Sequence, residues 1–296
     1  MGDQCPEISI ALPVYNGGKF LRYAYESIRM QSLTNWELLV IDDGSRDGSS
    51  DFIQSETDPR VRFFRDGGNR GLAARLNEAV TYARGKYFAR MDQDDIAFPD
   101  RLRFQHQFLE AHPEIDVVAT RAQLIDENDN ICGMFPFAGE HKEIVRRPWQ
   151  GFRFPHPTWL GRLTWFKKHP YADPAPYFCE DQELLTRAYA DSSLATVDEC
   201  LFAYRIRSKP QPEKLRRTRI ALWRAQLKVF ASRAEWTNCL LCTGMLGTRL
   251  GVDALRRMVG GKGEASVSAT ISDTQQLRWR ALLAELHRHI EPDGGS

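Results

Sequence analysis

Three carboxylates lie within four residues at Asp92-Gln-Asp-Asp95. Carboxylates crowded in this way repel one another unless a positive charge lies among them. A hard divalent cation meets that need, because it takes oxygen ligands from one or two carboxylates and from substrate phosphates. Asp92 and Asp94 therefore predict a divalent-metal site, which could bridge a nucleotide diphosphate and stabilise charge on it as a leaving group.

A second acidic pair, Asp42 and Asp43, is followed by Gly44 and Ser45. Either carboxylate could accept a hydrogen bond from a base N–H or from a ribose hydroxyl. Capping of a following helix by Ser45 or Asp47 is the structural alternative. Both interpretations stay open, because different residues of the segment would serve each purpose.

A third acidic pair, Glu180 and Asp181, opens a predicted helix. Acidic residues in the first turn of a helix favour its dipole, so capping is one interpretation. A general base that deprotonates an attacking hydroxyl is the other. That role requires the pair to approach Asp94 in space, which the sequence alone does not determine.

The acidic residues need a scaffold, and residues 8–119 alternate predicted strands with predicted helices. Apolar residues at helical spacing, such as Leu72, Leu76 and Val80, predict the helices. This alternation predicts an α/β fold with a mostly parallel sheet flanked by helices. Short apolar runs predict the strands, at 8–13, 36–41, 61–64, 87–91, 116–120, 194–197 and 201–206.

Ligands of such sheets bind beyond the carboxyl ends of the strands, and the polar clusters of this chain fall at those ends. The four clusters are at 16–18, 42–47, 67–71 and 92–95. Gly, Asn and Asp favour turns in any case, so one cluster alone could be an ordinary turn. Four clusters at four successive strand ends favour a binding site.

The composition is that of an ordinary globular protein: 296 residues, 42% hydrophobic and 27% charged, which excludes collagen-like and wholly disordered chains. The net charge of +1 argues against a nucleic-acid-coating protein, and no nucleic acid is expected as a partner. The charge is nevertheless uneven. Residues 1–200 hold 23 basic and 31 acidic residues, and residues 201–296 hold 17 basic and 8 acidic residues.

The compartment is predicted to be the cytoplasm, since no secretory signal and no apolar run long enough to span a bilayer are recognisable. Six scattered cysteines predict reduced thiols rather than a disulfide framework. Cys239 and Cys242 form a C-x-x-C pattern without a second pair, which predicts two buried thiols on one helix face.

Taken together, the motifs resemble those of the family 2 glycosyltransferases, and the resemblance covers residues 8–207. Each motif is modest alone, and five of them in order with the family's spacing form a specific signal. The motifs are Ile10-Ala-Leu-Pro-Val-Tyr-Asn16, Ile41-Asp-Asp-Gly-Ser45 with Asp47, Asn69-Arg-Gly-Leu-Ala73 with Arg75 and Asn77, Met91-Asp-Gln-Asp-Asp95 with Pro99-Asp-Arg-Leu102, and Glu180-Asp181 with Leu184 and Arg187.

The resemblance implies a GT-A (Rossmann-like) fold, a nucleotide-sugar donor and inversion at the anomeric carbon. Asp94 would be the main ligand of Mn²⁺ or Mg²⁺, and Asp92 would contact the metal or the ribose. Asp181 would be the general base, with Glu180 as the less favoured choice. Further donor-binding residues are expected at Pro13, Val14, Tyr15, Asn16, Asp42, Asp43, Asn69, Gly71, Arg75 and Arg207.

The sequence departs from the family pattern at Tyr204-Arg-Ile-Arg207, where many relatives have Tyr-Arg-x-His with the histidine near the diphosphate. Arg207 could give the phosphates a fixed positive charge, but it loses the histidine's capacity to bind metal. His156, between two prolines, is a candidate for the acceptor side or for a structural role.

Residues 1–208 are expected to form the catalytic domain, and residues 209–296 a basic, mainly helical extension. The stretch 205–228 holds nine basic residues and one acid. It could be a solvated helix face, or it could meet an anionic surface. The helices of 205–259 could pack on the catalytic domain, which we favour, or lie on the inner face of the cytoplasmic membrane as a peripheral anchor.

The expected function is transfer of a sugar, with a UDP-sugar as the default donor, to a glycan or lipid-linked acceptor in cell-surface polysaccharide or glycolipid synthesis. Two alternatives stay open. A sugar-1-phosphate nucleotidyltransferase usually has a Gly-rich segment with several Arg and Lys after the first strand, whereas this chain has only Lys19 there. A non-catalytic nucleotide-sugar-binding protein would not need Asp94 and Asp181.

Overall fold

Nine strands form one sheet in the computed structural model, which describes residues 5–206, 212–258 and 271–290. In space the strands follow the order β3-β2-β1-β4-β8-β6-β9-β5, with β7 paired to β6 outside this path. The strands are β1 (Ile8–Val14), β2 (Trp36–Asp42), β3 (Val61–Arg65), β4 (Tyr87–Arg90), β5 (Ile96–Ala97), β6 (Val117–Ile125), β7 (Ile131–Met134), β8 (Leu160–Arg162) and β9 (Leu194–Arg205).

Helices cover the sheet on both faces, as the near-continuous burial of β1 and β2 requires. Short 3₁₀ turns at 148–150, 156–158 and 189–191 complete the secondary structure. The helices are α1 (Phe20–Arg29), α2 (Asp51–Gln54), α3 (Leu72–Tyr82), α4 (Arg101–Ala111), α5 (His141–Ile144), α6 (Leu163–Lys168), α7 (Glu180–Ala188), α8 (Pro212–Ser232), α9 (Trp236–Met258) and α10 (Asp273–Ile290).

The predicted parallel sheet is found in the first half of the fold, where β3, β2, β1 and β4 pair in parallel. The second half is mixed, because β8 runs antiparallel to both β4 and β6, and β5 runs antiparallel to β9. The predicted α/β class is confirmed. The prediction of a mostly parallel sheet holds only for the half of the sheet that carries the four polar clusters.

The prediction of two separate strands at 194–197 and 201–206 is wrong, because one strand of 12 residues, β9, spans both. It pairs in parallel with β6 along its whole length, and the register shifts beside Arg121. The polar residues 198–200, which suggested a break, stay extended across this irregularity. A β-bulge absorbs residues of this kind without ending the strand.

The C-terminal helices pack on the sheet domain through their inward faces. Trp279, Leu282 and Leu286 of α10 share a hydrophobic cluster with Phe98 and Leu201. Phe230 of α8 packs with Cys239 and Cys242 of α9, which are free, buried thiols as predicted. The expected packing on the domain is therefore confirmed for these faces. The expected domain boundary at residue 208 lies outside the described residues and stays a prediction.

Candidate functional site

The loops after β1 and β2 are joined by hydrogen bonds at the carboxyl edge of the sheet. Asn16 has a left-handed backbone with φ 48°, and its N–H donates to Ser45 Oγ at 3.0 Å. Its side-chain Oδ1 accepts from the Arg46 N–H at 2.9 Å. Gly18 N–H donates to Asp47 Oδ2 at 3.0 Å. Ser45 and Asp47 therefore hold the Asn16 loop and do not cap a helix through their side chains.

Asp43 is buried, and both of its carboxylate oxygens accept hydrogen bonds from the loop after β3 and from α3. Its Oδ1 accepts from the Arg70 N–H at 2.7 Å and from Arg75 Nε at 2.8 Å, and its Oδ2 accepts from the Gly71 N–H at 2.9 Å. These bonds fix the carboxylate at the site edge, where Gly71, with φ 83°, makes the turn into α3. Asn69 lies exposed on the same loop.

Arg75 was expected to approach the nucleotide, and the structure places it differently. Its side chain is only 1% exposed. The guanidinium donates to Asp43, Asp66 and Glu78, and to the Gly68 carbonyl at 2.6 Å. Arg75 therefore positions Asp43 and the loop after β3, and has no free donor pointing toward a ligand.

A direct donor contact by Asp42 is likewise not supported, since Asp42 is 0% exposed. Its Oδ1 accepts from the Ser45 N–H at 2.7 Å, and its Oδ2 accepts from Ser50 Oγ and from Arg65 Nη2 at 2.8 Å. Burial acts against the charged form, but these bonds outweigh it and lower the pKa of Asp42. Asp42 is an ionised anchor for the loop that carries Asp43.

Pro13 and Val14 lie buried at the end of β1, and Tyr15 is 49% exposed beside them. Gln93, the middle residue of the Asp92-x-Asp94 motif, binds both backbone groups of Tyr15. Its Oε1 accepts from the Tyr15 N–H at 2.8 Å and its Nε2 donates to the Tyr15 carbonyl at 3.0 Å. The predicted donor-binding residues at the end of β1 and the predicted metal loop are thus held together by a residue that the sequence analysis did not select.

Arg90 is the most important residue that the sequence analysis missed. It ends β4, is buried, and places Nη2 2.6 Å from Asp92 Oδ1. Its Nε and Nη1 have no hydrogen-bond partner within residues 5–206, 212–258 and 271–290. Burial acts to lower its pKa, but Asp92, with a smaller contribution from Glu180, raises the pKa of Arg90 above its ordinary value. The sequence did contain a signal for this residue, because Arg90 is a charged residue at the end of an otherwise apolar strand.

Asp94 and Asp95 differ in exposure although they are neighbours. Asp94 is half-buried at the edge, whereas Asp95 is buried with Oδ1 accepting from the Arg205 N–H at 2.7 Å. Burial, with the charges of Asp92 and Asp94, raises the pKa of Asp95 well above its usual range. Arg205 Nε also donates to the Asp94 carbonyl at 2.8 Å, so β9 fixes this loop. Arg207, expected beside the phosphates, lies outside the described residues.

Glu180 and Asp181 begin α7 and share the electrostatic field of Arg90. Burial first, and the charge of Asp181 second, raise the pKa of Glu180 to about 7. Burial also raises the pKa of Asp181, although Gln182 Nε2 donates to its Oδ2 at 3.0 Å. The charge of Asp92 contributes to the raised pKa of Glu180 as well. The first turn of α7 and the Asp92 loop therefore face the same space.

His156 is part of the same cluster. Its Nε2 lies 2.6 Å from Tyr171 Oη, and its Nδ1 lies 3.9 Å from Glu180 Oε1. Burial and the nearby Arg90 hold the pKa of His156 well below its usual range, so the ring is neutral and its contact with Glu180 is not an ion pair. Asn77 Nδ2 donates to the Tyr171 carbonyl and Asn77 Oδ1 accepts from the Tyr171 N–H, both at 2.9 Å. The motif residue Asn77 therefore has a structural role, which is to position Tyr171.

The carboxylates at this edge suit a hard divalent cation. Asp92 and Asp94 offer oxygen ligands, and the raised pKa of Asp95, which is due first to its burial, also has a contribution from the charges of Asp92 and Asp94. Within the described part of the chain, no group of three His, Cys, Asp or Glu side chains is placed to hold a metal. A cation here would therefore need further ligands, such as water or substrate phosphate oxygens.

The sequence of this chain is similar to the sequences of known proteins. Residues 9–169 match the model of Glycosyl transferase family 2. An uncharacterized glycosyltransferase of Methanocaldococcus jannaschii is 32% identical over 207 residues, which cover 68% of this chain and 71% of that protein.

Two solved structures show the same fold. S. aureus TarS 1–349 in complex with UDP-GlcNAc has a TM-score of 0.60 and 16% identity, covering 96% of this chain and 81% of that one. The mannosyltransferase PcManGT from Pyrobaculum calidifontis, in complex with GDP-Man and Mn²⁺, has a TM-score of 0.57 and 16% identity, covering 96% and 88%. The predicted GT-A fold is confirmed.

Proposed function

We propose, from the premise that the chain belongs to glycosyltransferase family 2, that it transfers a sugar from a nucleoside diphosphate sugar to an acceptor hydroxyl with inversion at the anomeric carbon. UDP is our choice of nucleotide. TarS, which shares the fold, binds UDP-GlcNAc, and PcManGT binds GDP-Man, so a nucleotide sugar suits this architecture with either base.

One observation carries the proposal: the Asp92 loop and the first turn of α7 both face the buried Arg90. Arg90 contacts Asp92 directly at 2.6 Å, and its charge lowers the raised pKa values of Glu180 and Asp181. Residues about 85 positions apart in the chain, 92–94 and 180–181, therefore share one space. A donor phosphate group and an acceptor hydroxyl could meet there.

On the donor side, Tyr15 supplies an exposed ring beside the fixed carboxylate of Asp43, where a nucleobase and a ribose could lie. Asp94 and Asp92 would hold Mn²⁺ or Mg²⁺, which when bound supplies positive charge for the departing diphosphate. The pairing of Asp92 with Arg90 orients that carboxylate and reduces its repulsion with Asp94.

On the acceptor side, Asp181 would take the proton from the attacking hydroxyl. Its raised pKa makes it a stronger base than an exposed aspartate, which favours proton transfer near neutral pH. Gln182 orients Asp181 through the 3.0 Å bond to Oδ2. The transferred proton can be shared with Glu180, whose pKa of about 7 lets it accept or release a proton easily.

The test is a thermal-shift screen of the full chain with UDP-sugars and GDP-sugars, with and without Mn²⁺. A ligand that binds the folded state raises its stability, so we expect a stabilising UDP-sugar whose effect needs the metal. Transfer or hydrolysis of the radiolabelled hit then measures catalysis. A screen in which no nucleotide sugar stabilises the protein, with or without metal, would count against the proposal.

We also propose that α8 and α9 rest on an anionic membrane. Every residue of α9 from 236 to 255 that is exposed is uncharged, and Trp236 and Leu240 are 68% and 75% exposed. The adjacent α8 has five exposed cations, Lys214, Arg216, Arg217, Arg224 and Lys228. Lys214 and Arg217 lie over the rings of Phe178 and Tyr177, and Arg216 pairs with Glu213. Exposed apolar residues on one helix and exposed cations on its neighbour suit a lipid interface with acidic headgroups. No helix in the described part of the chain is long and apolar enough to cross a bilayer.

Flotation with phosphatidylcholine vesicles, with and without phosphatidylglycerol, tests this surface. We expect binding that needs phosphatidylglycerol and weakens as salt rises from about 0.1 M to about 1 M. The double variant Leu240→Ser, Leu255→Ser should lose binding, whereas Leu277→Ser, at the equally exposed Leu277 of α10, should retain it. Equal loss in both variants would contradict a specific role for α9.

A further inference from the structure

A basic cavity of ≈ 160 Å³ lies beside α5, and none of the residues of the carboxylate cluster lines it. It is formed by the segment 137–153, which the motifs did not single out. Three arginines line it, together with one acidic residue, Glu143, and the apolar side chains of Phe137 and Ile144. The arginines are Arg146, Arg147 and Arg153.

None of these three guanidinium groups has an ion pair or a hydrogen bond with another residue of the described ranges 5–206, 212–258 and 271–290. The three arginines are exposed, whereas arginines of the fold with half-buried side chains are paired, as Arg62 is with Glu37 at 2.8 Å and Arg65 is with Asp42 at 2.8 Å. Glu143 uses Oε2 to accept from the Gly139 N–H at 3.1 Å. The cavity therefore has a surplus of positive charge and free N–H donors.

The cavity adjoins the proposed base through a short series of contacts. Gly151 lines it, and the next residue, Phe152, donates its N–H to Gln182 Oε1 at 2.7 Å. Gln182 in turn donates to Asp181. A Cβ on Gly151, whose φ is 87°, would lie 2.8 Å from Gln182 Oε1, so the cavity wall and α7 touch closely.

The segment that forms the cavity wall also contacts the C-terminal helices. Arg249 of α9 donates to the Gln150 carbonyl at 2.9 Å, and Gln226 of α8 donates to the Pro148 carbonyl at 2.8 Å. Residues of the cavity wall therefore contact both α7, which carries Asp181, and the helices that we place on the membrane. A group bound there would belong to the acceptor rather than to the donor, whose predicted contacts lie at 13–16, 43 and 69–71.

We propose that this cavity binds a phosphate group of the acceptor. This inference rests on the proposed glycosyl transfer and names the acceptor class. Arginine presents planar N–H pairs that bind phosphate oxygens two at a time, and three arginines around one space would surround a phosphate with such donors. Because all three are exposed and unpaired among the described residues, their N–H donors can reach an anion that enters the cavity.

The test measures the binding of inorganic phosphate to the full chain. UDP and Mg²⁺ are present at saturating concentration, so that the donor site is occupied. Nuclear magnetic resonance signals of the arginine Nε–H groups report the titration. The triple cavity variant combines Arg146→Gln, Arg147→Gln and Arg153→Gln. It should bind phosphate about tenfold more weakly or worse, since hydrogen bonds to charged groups are lost. The control combines Arg84→Gln, Arg103→Gln and Lys167→Gln, which are exposed or half-buried cations elsewhere, and should leave binding unchanged.

Two competitors then identify the source of the phosphate. Displacement by vesicles containing a polyprenyl phosphate supports a lipid-linked acceptor, and displacement by glycerol 3-phosphate alone supports a soluble or polymeric phosphoester. Undiminished phosphate binding in the triple cavity variant, with an unchanged melting temperature, would overturn the inference. A wild-type protein that binds no nucleotide sugar would instead contradict the proposed function, so the two failures are distinguishable.

Discussion

The sheet edge and the α8–α9 pair distribute charge in opposite ways. At the edge, the carboxylates of Asp42, Asp43 and Asp95 lie inside the protein and accept hydrogen bonds from backbone and side-chain donors. On α9, the charged Asp253 faces α8, where it pairs with Arg219, and the exposed residues between 236 and 255 are uncharged.

The contrast indicates what each region is built to meet. A buried charge is costly unless it is paired and hydrogen-bonded, so the bonds at the edge fix carboxylates where a cationic or polar ligand is expected. An exposed apolar face is costly in water unless something covers it. The first region suits a small polar substrate, and the second suits an extended apolar surface.

The largest effect is expected at the proposed base. Asp181→Asn removes the proton acceptor and should lower the transfer rate by about 10²- to 10⁴-fold, measured with the radiolabelled donor. In the wild type the rate should rise as pH increases through about 7, because the raised pKa values of the pair keep it partly protonated below that pH.

Glu180→Gln is the matched control for Asp181→Asn. It removes the neighbouring negative charge, lowers the pKa of Asp181 and should shift the acid limb of the pH profile to lower pH with transfer retained. If Glu180→Gln abolished transfer and Asp181→Asn did not, the assignment of the base would be reversed.

The next largest effect is expected at the metal carboxylate. Asp94→Ala should lower transfer by about 10²- to 10³-fold, because charge on the leaving diphosphate loses its stabilisation. The Mn²⁺-dependent part of the donor thermal shift should disappear as well. Asp198→Ala, at an exposed acid on β9, should leave both unchanged; a metal effect that survives in Asp94→Ala would exclude Asp94 as a ligand.

A buried arginine at the edge should matter more for stability than an exposed one. Arg75→Gln leaves the buried Asp43 with fewer partners and should lower the free energy of unfolding by about 3 kcal/mol, measured by denaturant titration. Arg84→Gln, at an exposed position, should change it by less than about 0.5 kcal/mol. Similar values for the two variants would show that the Arg75 network is not a stabilising feature of the edge.

The charge crowding at Asp95 should appear as a smaller, pH-dependent effect. The folded-state pKa of Asp95 is raised above its unfolded value, so its ionisation lowers stability as pH rises. Asp95→Asn removes that penalty. In metal-free buffer, its melting temperature relative to wild type should rise by about 2 °C between pH 5 and pH 8. A difference that is constant with pH would contradict the buried, crowded state of Asp95.

The smallest effect on stability is expected on the exposed face of α9. Leu240→Ser should change the free energy of unfolding by less than about 0.5 kcal/mol, because its side chain contacts mainly solvent. Phe230→Ala, on the inward side of α8, should cost about 3 kcal/mol or more. A large destabilisation by Leu240→Ser would mean that α9 packs against protein on both sides, contrary to the contrast drawn above.

Much of the donor half followed from the sequence. Apolar runs and helical spacing predicted β1 to β4 with α1 and α3, since these patterns show which face of each element is buried, whereas the four-residue helix α2 was not predicted. Parallel strands place their carboxyl ends at one edge, so Asp43, Asp92 and Asp94 could be assigned to one site before any coordinates. The continuous β9 could not be predicted, because polar residues 198–200 are tolerated where two strands shift register.

Only the tertiary structure decided which charged groups face a ligand and which support the site. Asp42 and Asp43 are adjacent in sequence, and Asp42 alone lies fully inside the protein. Arg90 meets Glu180 and Asp181 only because β4 and α7 converge, and Asp95 meets Arg205 across 110 positions. Local patterns specify faces and strand ends, whereas the free energy of a charged group depends on its burial and on partners brought from distant parts of the chain.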